Sequence, residues 1–253
     1  MSLSLQNKLI FVYMLVSICI ARDAFDIAKN VNSINASKGM RCDIKMKISD
    51  KGNRESNLHM KSISKNNGEM QMLWVLSPAS DRGVAMCKID NKKKDEIRVY
   101  LPAFEKIKKI STKRRTESFM GSDISYEDMG QRNIDNFNYS LEADTTISGK
   151  DCYSLISRPL NKKNTSYSYH ITYLEKSSYL PVYEISYNFN NTIKKTKRYE
   201  YVLIDSLYLI KNLYVENIEN GNSTHLKIEN IVIDDSIPDN AFNQSKLKRI
   251  PIE

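Results

Sequence analysis

Apolar and polar residues alternate along most of this chain. In residues 41–48, charged side chains separate Cys42, Ile44, Met46 and Ile48. A period of two gives a β-strand one apolar face and one solvated face. Comparable segments recur as far as residue 233, separated by turns rich in glycine, asparagine and proline. The pattern predicts a mainly β fold of about 11–12 short antiparallel strands, arranged as a sandwich or a barrel.

One segment near the N-terminus has a different period. Residues 23–38 carry apolar side chains at three-residue spacing, which is typical of an amphipathic helix. These side chains are Phe25, Ala28, Val31 and Ile34. Gly39 follows and suits the end of a helix. The segment therefore predicts an N-terminal amphipathic helix in front of the strands.

The first 21 residues resemble a secretory signal peptide. Lys8 precedes an apolar run over residues 9–21, which is too short to span a bilayer and suits a signal core. Cysteine and alanine at positions 19 and 21 are small residues that permit cleavage after Ala21. We therefore expect a signal peptide over residues 1–21 and a single domain over residues 22–253. A lipid anchor on Cys19 is a weaker alternative, because Ile18 is bulky where a small residue is expected.

Charge and cysteine content limit the function classes. The chain has a net charge of +8, and loss of Lys8 with the signal peptide leaves +7. Dispersed lysines suit a solvated surface, and attraction to anionic membranes remains open. Cleavage leaves Cys42, Cys87 and Cys152, which allow at most one internal disulfide. Each lies in a strand-like segment, which favours a role as a small buried apolar side chain.

Two strand faces are rich in large side chains. Met70, Met72 and Trp74 share one face, and a second face is strongly aromatic. The aromatic face comprises Tyr167, Tyr169, Ile171 and Tyr173. Such faces pack on each other in a filled core or line a cavity for an apolar ligand, and the alternation alone does not separate these two arrangements.

Catalytic and metal motifs find little support. The acids after Asp123 do not match a calcium loop, because Asp128 and Ile134 occupy positions that require glycine and glutamate. Ser125 and Asp128 have the spacing of a capping box, which indicates a capped turn after Gly121. We expect these acids to pair with the basic residues 106–115. The chain has no G-x-S-x-G elbow and no glycine-rich phosphate loop, and its histidines are isolated.

A central motif resembles that of a known family. The stretches FMGSD at residues 119–123 and SYED at residues 125–128 resemble the signature of bacterial outer-membrane lipoprotein-sorting proteins, which are relatives of the periplasmic carrier LolA. Tyr100-Leu101-Pro102, SPASDRG at residues 77–83 and Lys109-Ile110-Ser111 agree with the same family. Ile124 departs from it, since an aromatic residue is usual there. The motif residues are Tyr100, Pro102, Phe119, Met120, Gly121, Ser122, Asp123, Tyr126, Glu127 and Asp128.

The resemblance implies an antiparallel incomplete (half) β-barrel with the N-terminal helix near its open side. It also implies an apolar cavity for acyl chains, a periplasmic location and a non-enzymatic role without cofactor or metal. The candidate cavity residues are Phe25, Ile44, Met46, Met70, Met72, Trp74, Tyr167, Tyr169, Ile171 and Tyr173. The motif residues would serve the structure or contact a partner.

Partners follow from the same resemblance. They would be lipid or lipoprotein acyl chains, an inner-membrane transporter of the RND or ABC type and an outer-membrane acceptor, with no nucleic acid and a monomeric carrier. Two rival functions stay open. One is an exported lipid hydrolase that uses Ser122 with the neighbouring acids, and the other is an adaptor subunit of an envelope transporter with a filled core.

The N-terminal expectation is testable on protein recovered from its own envelope. Because the apolar core is short and Ala21 suits a cleavage site, we expect the mature chain to begin at Arg22. Intact mass measurement and N-terminal sequencing would check this. A mature chain that begins at an acylated Cys19 would contradict it and support the lipid anchor.

Overall fold

The computed structural model describes residues 24–31, 33–34, 39–90, 96–130 and 132–251. The expected signal peptide and Cys19 lie outside the described residues. Residues 24–31 and 33 form a helix, α1, within the segment whose apolar spacing predicts one. No helix in the described part of the chain is long and apolar enough to cross a membrane.

The β-structure is one antiparallel sheet. Its strands are β1 (Gly39–Ser49), β2 (Glu55–Lys65), β3 (Met70–Ser77), β4 (Ala85–Ile89), β5 (Glu96–Leu101), β6 (Lys106–Lys109), β7 (Phe137–Ile147), β8 (Lys150–Pro159), β9 (Tyr169–Glu175), β10 (Pro181–Tyr187), β11 (Ile193–Ile204), β12 (Leu207–Asn217) and β13 (Asn222–Ile233). The strand order is β6-β5-β4-β3-β2-β1-β13-β12-β11-β10-β9-β8-β7. The sheet is open, since β6 and β7 form its two edges. The mainly β antiparallel half-barrel is confirmed, with 13 strands where the sequence predicts about 11–12.

The segment between β6 and β7 joins the two edges of the sheet. We call residues 110–130 and 132–136 the crossing segment, and we call the face of the sheet that it covers the inner face. Cross-strand partners point to the same face of a sheet, and Ile44 pairs with Met60 and Ile228. These side chains belong to a buried cluster that includes Phe119 of the crossing segment. The crossing segment therefore fills the apolar half of the inner face.

The outer face of the same strands is covered by the C-terminal segment. Met72 and Trp74 of β3 pack against Phe242 and Leu247 in a second buried cluster. The indole Nε1 of Trp74 donates a hydrogen bond to the carbonyl oxygen of Lys246 at 3.3 Å. Two short 3₁₀ helices, Asp239–Phe242 and Gln244–Lys248, supply this cover. The outer face of β3–β5 is thus a filled core.

The helix forms a third cluster at the opposite end of the inner face. Ala24, Ile27 and Ala28 pack on Leu155 of β8 and Leu174 of β9. Leu155 pairs with Thr172, whose side chain points to the inner face as Leu174 does. The helix and the crossing segment therefore lie on the same side of the sheet.

The three cysteines among the described residues are buried thiols. Cys42, Cys87 and Cys152 are free of disulfides. Burial raises the pKa of the Cys42 thiol to about 12 and that of the Cys87 thiol to about 11. These residues therefore act as small apolar side chains, one of the two roles that the sequence leaves open.

A cavity in the C-terminal cover should destabilise the outer core. Leu247 is fully buried, so we expect Leu247→Ala to lower the free energy of unfolding by about 2–5 kcal/mol. Urea denaturation followed by the fluorescence of Trp74, the single tryptophan, would measure the change. Lys248→Ala, at an exposed position of the same 3₁₀ helix, should change the stability little. Equal effects of the two substitutions would contradict the assigned packing.

Candidate functional site

A pocket of about 630 Å³ lies between α1, the crossing segment and the inner face of β7–β11. One part of its wall is apolar. The apolar lining includes Ala28, Val31, Phe137, Tyr139, Leu155 and Leu174. The other part is polar and charged, and includes Asp128, Arg132, Ser157, His170, Glu184 and Lys197. The pocket therefore differs from the long apolar lining that the family resemblance implies.

The register of three strands explains the polar part. Glu184 of β10 pairs with Thr172 of β9 on one side and with Lys197 of β11 on the other. Ser186 likewise pairs with His170 and Lys195. These strands place hydrophilic side chains on the inner face, where burial is costly unless each group has a partner. The crossing segment supplies several of those partners.

Asp128 of the crossing segment is the first of them. Its carboxylate accepts hydrogen bonds from Lys195 Nζ at 2.8 Å and Lys197 Nζ at 2.7 Å. The hydroxyl of Tyr167 donates to the same carboxylate at 3.0 Å. The Asp128 side chain is only 3% exposed. The interaction is therefore a buried ion cluster that holds the crossing segment on β11.

Arg132 supplies the second partner. Its guanidinium binds the carboxylate of Glu184 through two hydrogen bonds of 2.6 and 2.8 Å. Lys197 Nζ lies 3.2 Å from the same carboxylate, and Thr172 Oγ1 donates to it at 3.0 Å. His170 Nδ1 lies 2.8 Å from Ser186 Oγ. We call Asp128, Arg132, Glu184, Lys195 and Lys197 the charged floor.

The protonation states in the charged floor follow from these contacts. Burial by itself raises the pKa of Asp128, but Lys197 and Lys195 outweigh it and hold the pKa well below its usual range. Burial acts on Glu184 in the same way, and Arg132 and Lys197 hold its pKa low as well. The pKa of His170 is also lowered, first by burial and then by Arg132. At neutral pH the carboxylates are ionised and His170 is neutral.

The family motif forms the turn that carries Asp128. Ser125 N donates to the Asp128 carboxylate at 3.0 Å, and Asp128 N donates to Ser125 Oγ at 3.2 Å. This is the reciprocal capping predicted from the spacing of the two residues. Met120 and Gly121 both have positive φ, as the tight turn before it requires. Phe119 and Tyr126 pack edge to face at 6.0 Å and anchor the turn in the inner-face core.

Other motif residues also have structural contacts. The Asp123 carboxylate accepts from Thr224 Oγ1 at 3.0 Å and from Asn217 Nδ2 at 3.2 Å. Glu127 accepts from Thr165 and from Ser166 N. Asp123 and Asp128 therefore do not pair with residues 106–115 as expected. Asp128 pairs with Lys195 and Lys197 of β11. Asp123 accepts hydrogen bonds from side chains of β12 and β13 instead.

Three further motif residues lie in packed surroundings. The Ser122 hydroxyl is 1% exposed and donates to the carbonyl oxygen of Phe119 at 2.6 Å. Tyr100 packs on the outer-face cluster. Pro102 begins a short 3₁₀ helix and lies against Gly83, whose φ of +89° favours glycine.

The ten candidate cavity residues are divided between the two faces. Tyr167 lines the pocket, and Phe25 lies 6.1 Å, centroid to centroid, from Tyr139 of the lining. Ile44 and Met46 are on the inner face under the crossing segment. The remaining six are on the outer face: Met70, Met72 and Trp74 under the C-terminal cover, and Tyr169, Ile171 and Tyr173 on β9. Tyr169 stacks on Tyr187 and Tyr173 on Tyr183.

The charged floor is not among the sites that the sequence motifs predict. The sequence of β11 contained a signal, because residues 194–198 read KKTKR and give neither face of this strand an apolar row. A strand with cations on both faces, within a sheet that is covered on one side, must bury some of them. Those cations need acids from elsewhere in the chain.

Comparisons with known proteins identify relatives of this fold. A family model described as "uncharacterized protein" matches residues 67–249. No curated protein matches the chain. A DUF1329 family protein from Desulfovibrio piger ATCC 29098 is 24% identical, with a TM-score of 0.84 over 90% of this chain and 99% of that one. A proposed outer-membrane lipoprotein-sorting protein domain from Vibrio parahaemolyticus is 23% identical, with a TM-score of 0.85 over 90% and 100%. A LolA superfamily protein from Nitrosomonas europaea is 18% identical, with a TM-score of 0.71 over 88% and 98%. At these identities the likeness shows a shared fold.

The buried ion cluster predicts a large effect of one substitution. Asp128→Asn keeps the volume of the side chain but leaves Lys195 and Lys197 without this countercharge, so we expect a loss of about 3–5 kcal/mol in the free energy of unfolding. Denaturant titration at pH 7 would measure it. Glu117→Gln, in the exposed pair with Arg114, is the control and should cost less than about 1 kcal/mol.

The same variant has a defined pH dependence. The folded-state pKa of Asp128 is below its unfolded value, so its stabilisation is present above about pH 4 and is lost as the pH falls towards the folded pKa. In Asp128→Asn the free energy of unfolding should therefore fall less steeply as the pH is lowered below about 4. Some of the fall should remain, because the pKa of Glu184 is also held low. An acid limb of unchanged steepness would contradict the assignment.

Proposed function

The chain belongs to the uncharacterized protein family whose model matches residues 67–249 and has a LolA-like fold, and from this premise we propose that it is a periplasmic carrier of acyl chains. The carrier binds lipid or lipoprotein acyl chains in the pocket under α1 and moves them toward the outer membrane. It is exported by the signal peptide over residues 1–21, and residues 22–253 form the carrier domain. Its role is non-enzymatic.

The observation that carries the proposal is the pocket itself. Its volume of about 630 Å³ is within the range of about 300–1,000 Å³ that small-molecule sites occupy. Its apolar part is bordered by Ala28 and Val31 of α1 and by Leu155 and Leu174 of the sheet, which pack together in one cluster. The apolar surfaces under the crossing segment and the C-terminal cover are filled by the chain's own side chains. The pocket is therefore the part of the inner face that best accommodates an apolar ligand.

The magnitude of apolar burial suits a carrier. Each buried methylene stabilises a complex by about 0.8 kcal/mol, so about ten methylenes in the pocket contribute about 8 kcal/mol. Association itself costs several kcal/mol. An acyl chain held in this way is bound reversibly, as transfer to a next partner requires.

The contacts of Ser122 support a carrier over a lipid hydrolase. The hydroxyl of Ser122 is buried in its own turn and bonded to Phe119. A serine nucleophile needs a neighbouring base and an exposed oxygen. As partners for the carrier we propose an inner-membrane transporter of the RND or ABC type as donor and an outer-membrane acceptor.

A charge placed in the apolar wall should prevent acyl binding. We expect Val31→Asp to weaken uptake of a fluorescent fatty acyl probe at least about tenfold, because excluding two methylenes costs about 1.6 kcal/mol. Asn30→Asp places the same residue at the neighbouring exposed position of α1 and is the matched control. Native mass spectrometry of protein purified from its own envelope should show co-purified lipid. Protein without bound lipid and without probe uptake would overturn the proposal.

A further inference from the structure

The basic residues around β6 are not paired with the acids that the sequence predicts for them. Asp123 and Asp128 bind side chains of β11–β13, and Glu127 binds the segment between β8 and β9. Residues 96–117 contain seven cations and three acids, so this short stretch holds a net charge of +4, half of the +8 of the whole chain. A concentration of one charge at one place on a protein attracts an oppositely charged partner.

Two of the three acids in this stretch are already bound within it. Glu96 pairs with Arg98 at 2.9 Å and also with Lys109. Glu117 pairs with Arg114 at 2.7 Å. These pairs neutralise part of the stretch and leave the remaining cations to be accounted for.

Three exposed lysines of the stretch form no ion pair with another described residue. They are Lys106, Lys108 and Lys113. Glu105 is the one acid of residues 96–117 that is likewise unpaired within the described part of the chain. The adjacent turn before β4 adds Asp81 and Arg82, whose charges cancel. The balance of unpaired charge at this edge of the sheet is therefore positive.

An exposed aromatic ring lies beside two of these lysines. Phe104 is 66% exposed, in the turn between β5 and β6. Lys106 and Lys108 are two residues apart in β6 and so share one face of this edge strand. Nζ of Lys108 lies 5.7 Å from the ring centroid of Phe104. We call Phe104, Lys106, Lys108 and Lys113 the basic edge.

The composition of the basic edge suits a bilayer surface better than a protein interface. A stable protein interface needs about 800 Å² on each partner and a packed apolar centre. The basic edge offers one exposed apolar side chain, since Ile107 beside it packs on the outer-face cluster. At a bilayer, an aromatic ring enters the headgroup region while neighbouring lysines bind anionic headgroups.

The basic edge also borders the pocket. Thr112 and Arg115, on either side of Lys113, line the pocket. A bilayer that is bound at the basic edge is therefore close to one end of the proposed acyl site.

We propose that the basic edge binds the surface of an anionic phospholipid bilayer, with the ring of Phe104 in the headgroup region and the lysines on the headgroup phosphates. The inference rests on the proposed function and adds a partner to it: the carrier exchanges acyl chains while it is bound to an anionic membrane.

Vesicle sedimentation of the unmodified protein tests the preference for an anionic surface. Each lysine near such a surface contributes about fivefold in affinity, so vesicles of phosphatidylglycerol and phosphatidylcholine in equal parts should bind at least about tenfold more tightly than phosphatidylcholine alone. High salt should weaken the binding, because it screens exposed charges. Equal affinities for the two vesicles would overturn the proposal. No binding to either would overturn the bilayer as the partner and leave an acidic protein surface in its place.

Removal of charge at matched positions assigns the binding to the basic edge. Lys106→Gln/Lys108→Gln should weaken binding to the anionic vesicles at least about tenfold. Lys246→Gln/Lys248→Gln removes the same charge from exposed positions of the C-terminal cover. This control should change the affinity less than about threefold, because its lysines lie away from the proposed contact. Equal losses in the two variants would show attraction to the net charge alone and overturn the assignment.

The aromatic ring has a matched control of its own. Phe104→Ser should weaken binding to the anionic vesicles about tenfold, because the ring no longer leaves water on binding. Leu203→Ser removes a similarly exposed apolar side chain from β11 and should leave the affinity unchanged. An unchanged affinity in Phe104→Ser would overturn the insertion of the ring.

A soluble acyl probe separates this inference from the proposed function. None of the substituted residues is among the described residues that line the pocket, so every variant should keep its affinity for a fluorescent acyl probe in solution. Transfer of the probe from anionic vesicles should slow about tenfold in Lys106→Gln/Lys108→Gln. Transfer at an unchanged rate would overturn exchange at the membrane. Vesicle binding without probe uptake would count against the carrier function and leave the basic edge standing.

Discussion

The buried ion pairs between Asp128 and two lysines of β11 determine how the inner face is used. Lys195 and Lys197 point into the sheet's covered side, where an unpaired ammonium is strongly unfavourable. Asp128 reaches them only if the crossing segment lies across the inner face. That position brings Phe119 onto the apolar strands on one side and Arg132 to Glu184 on the other. The Asp128 carboxylate thus fixes the position of the crossing segment, and with it the packing of the inner-face core and the arrangement of the charged floor.

A 13-stranded open sheet has more surface than a single helix can cover. Three different parts of the chain cover it here: α1, the crossing segment and the C-terminal 3₁₀ helices. The first two meet on the inner face without closing it completely, and the pocket is the space between them. The pocket therefore exists because α1 and the crossing segment cover the inner face separately. Each of the two is held in place by its own contacts with the sheet.

The alternation of residues predicted the fold class because a period of two is a property of the strand itself. It did not predict which face is inner. From the sequence alone, Met72 and Trp74 are as plausible a ligand-binding row as Ile44 and Met46. In the fold, Met72 and Trp74 are covered by Phe242 and Leu247, which lie more than 150 residues away in the sequence. The capped turn at Ser125 and Asp128 was predictable because its hydrogen bonds are local. The charged floor was not, because its partners come from strands and segments far apart in the sequence.

A polar floor beneath an apolar wall changes what the pocket can select. Apolar burial scales with chain length and gives little discrimination between amphiphiles of equal length. Discrimination requires groups whose desolvation is compensated by one ligand and left uncompensated by another. Arg132 and Lys197 are already fixed by Glu184 and Asp128, so the floor keeps its geometry when the pocket is empty. A fixed floor reduces the reorganisation that the binding of a polar group would require.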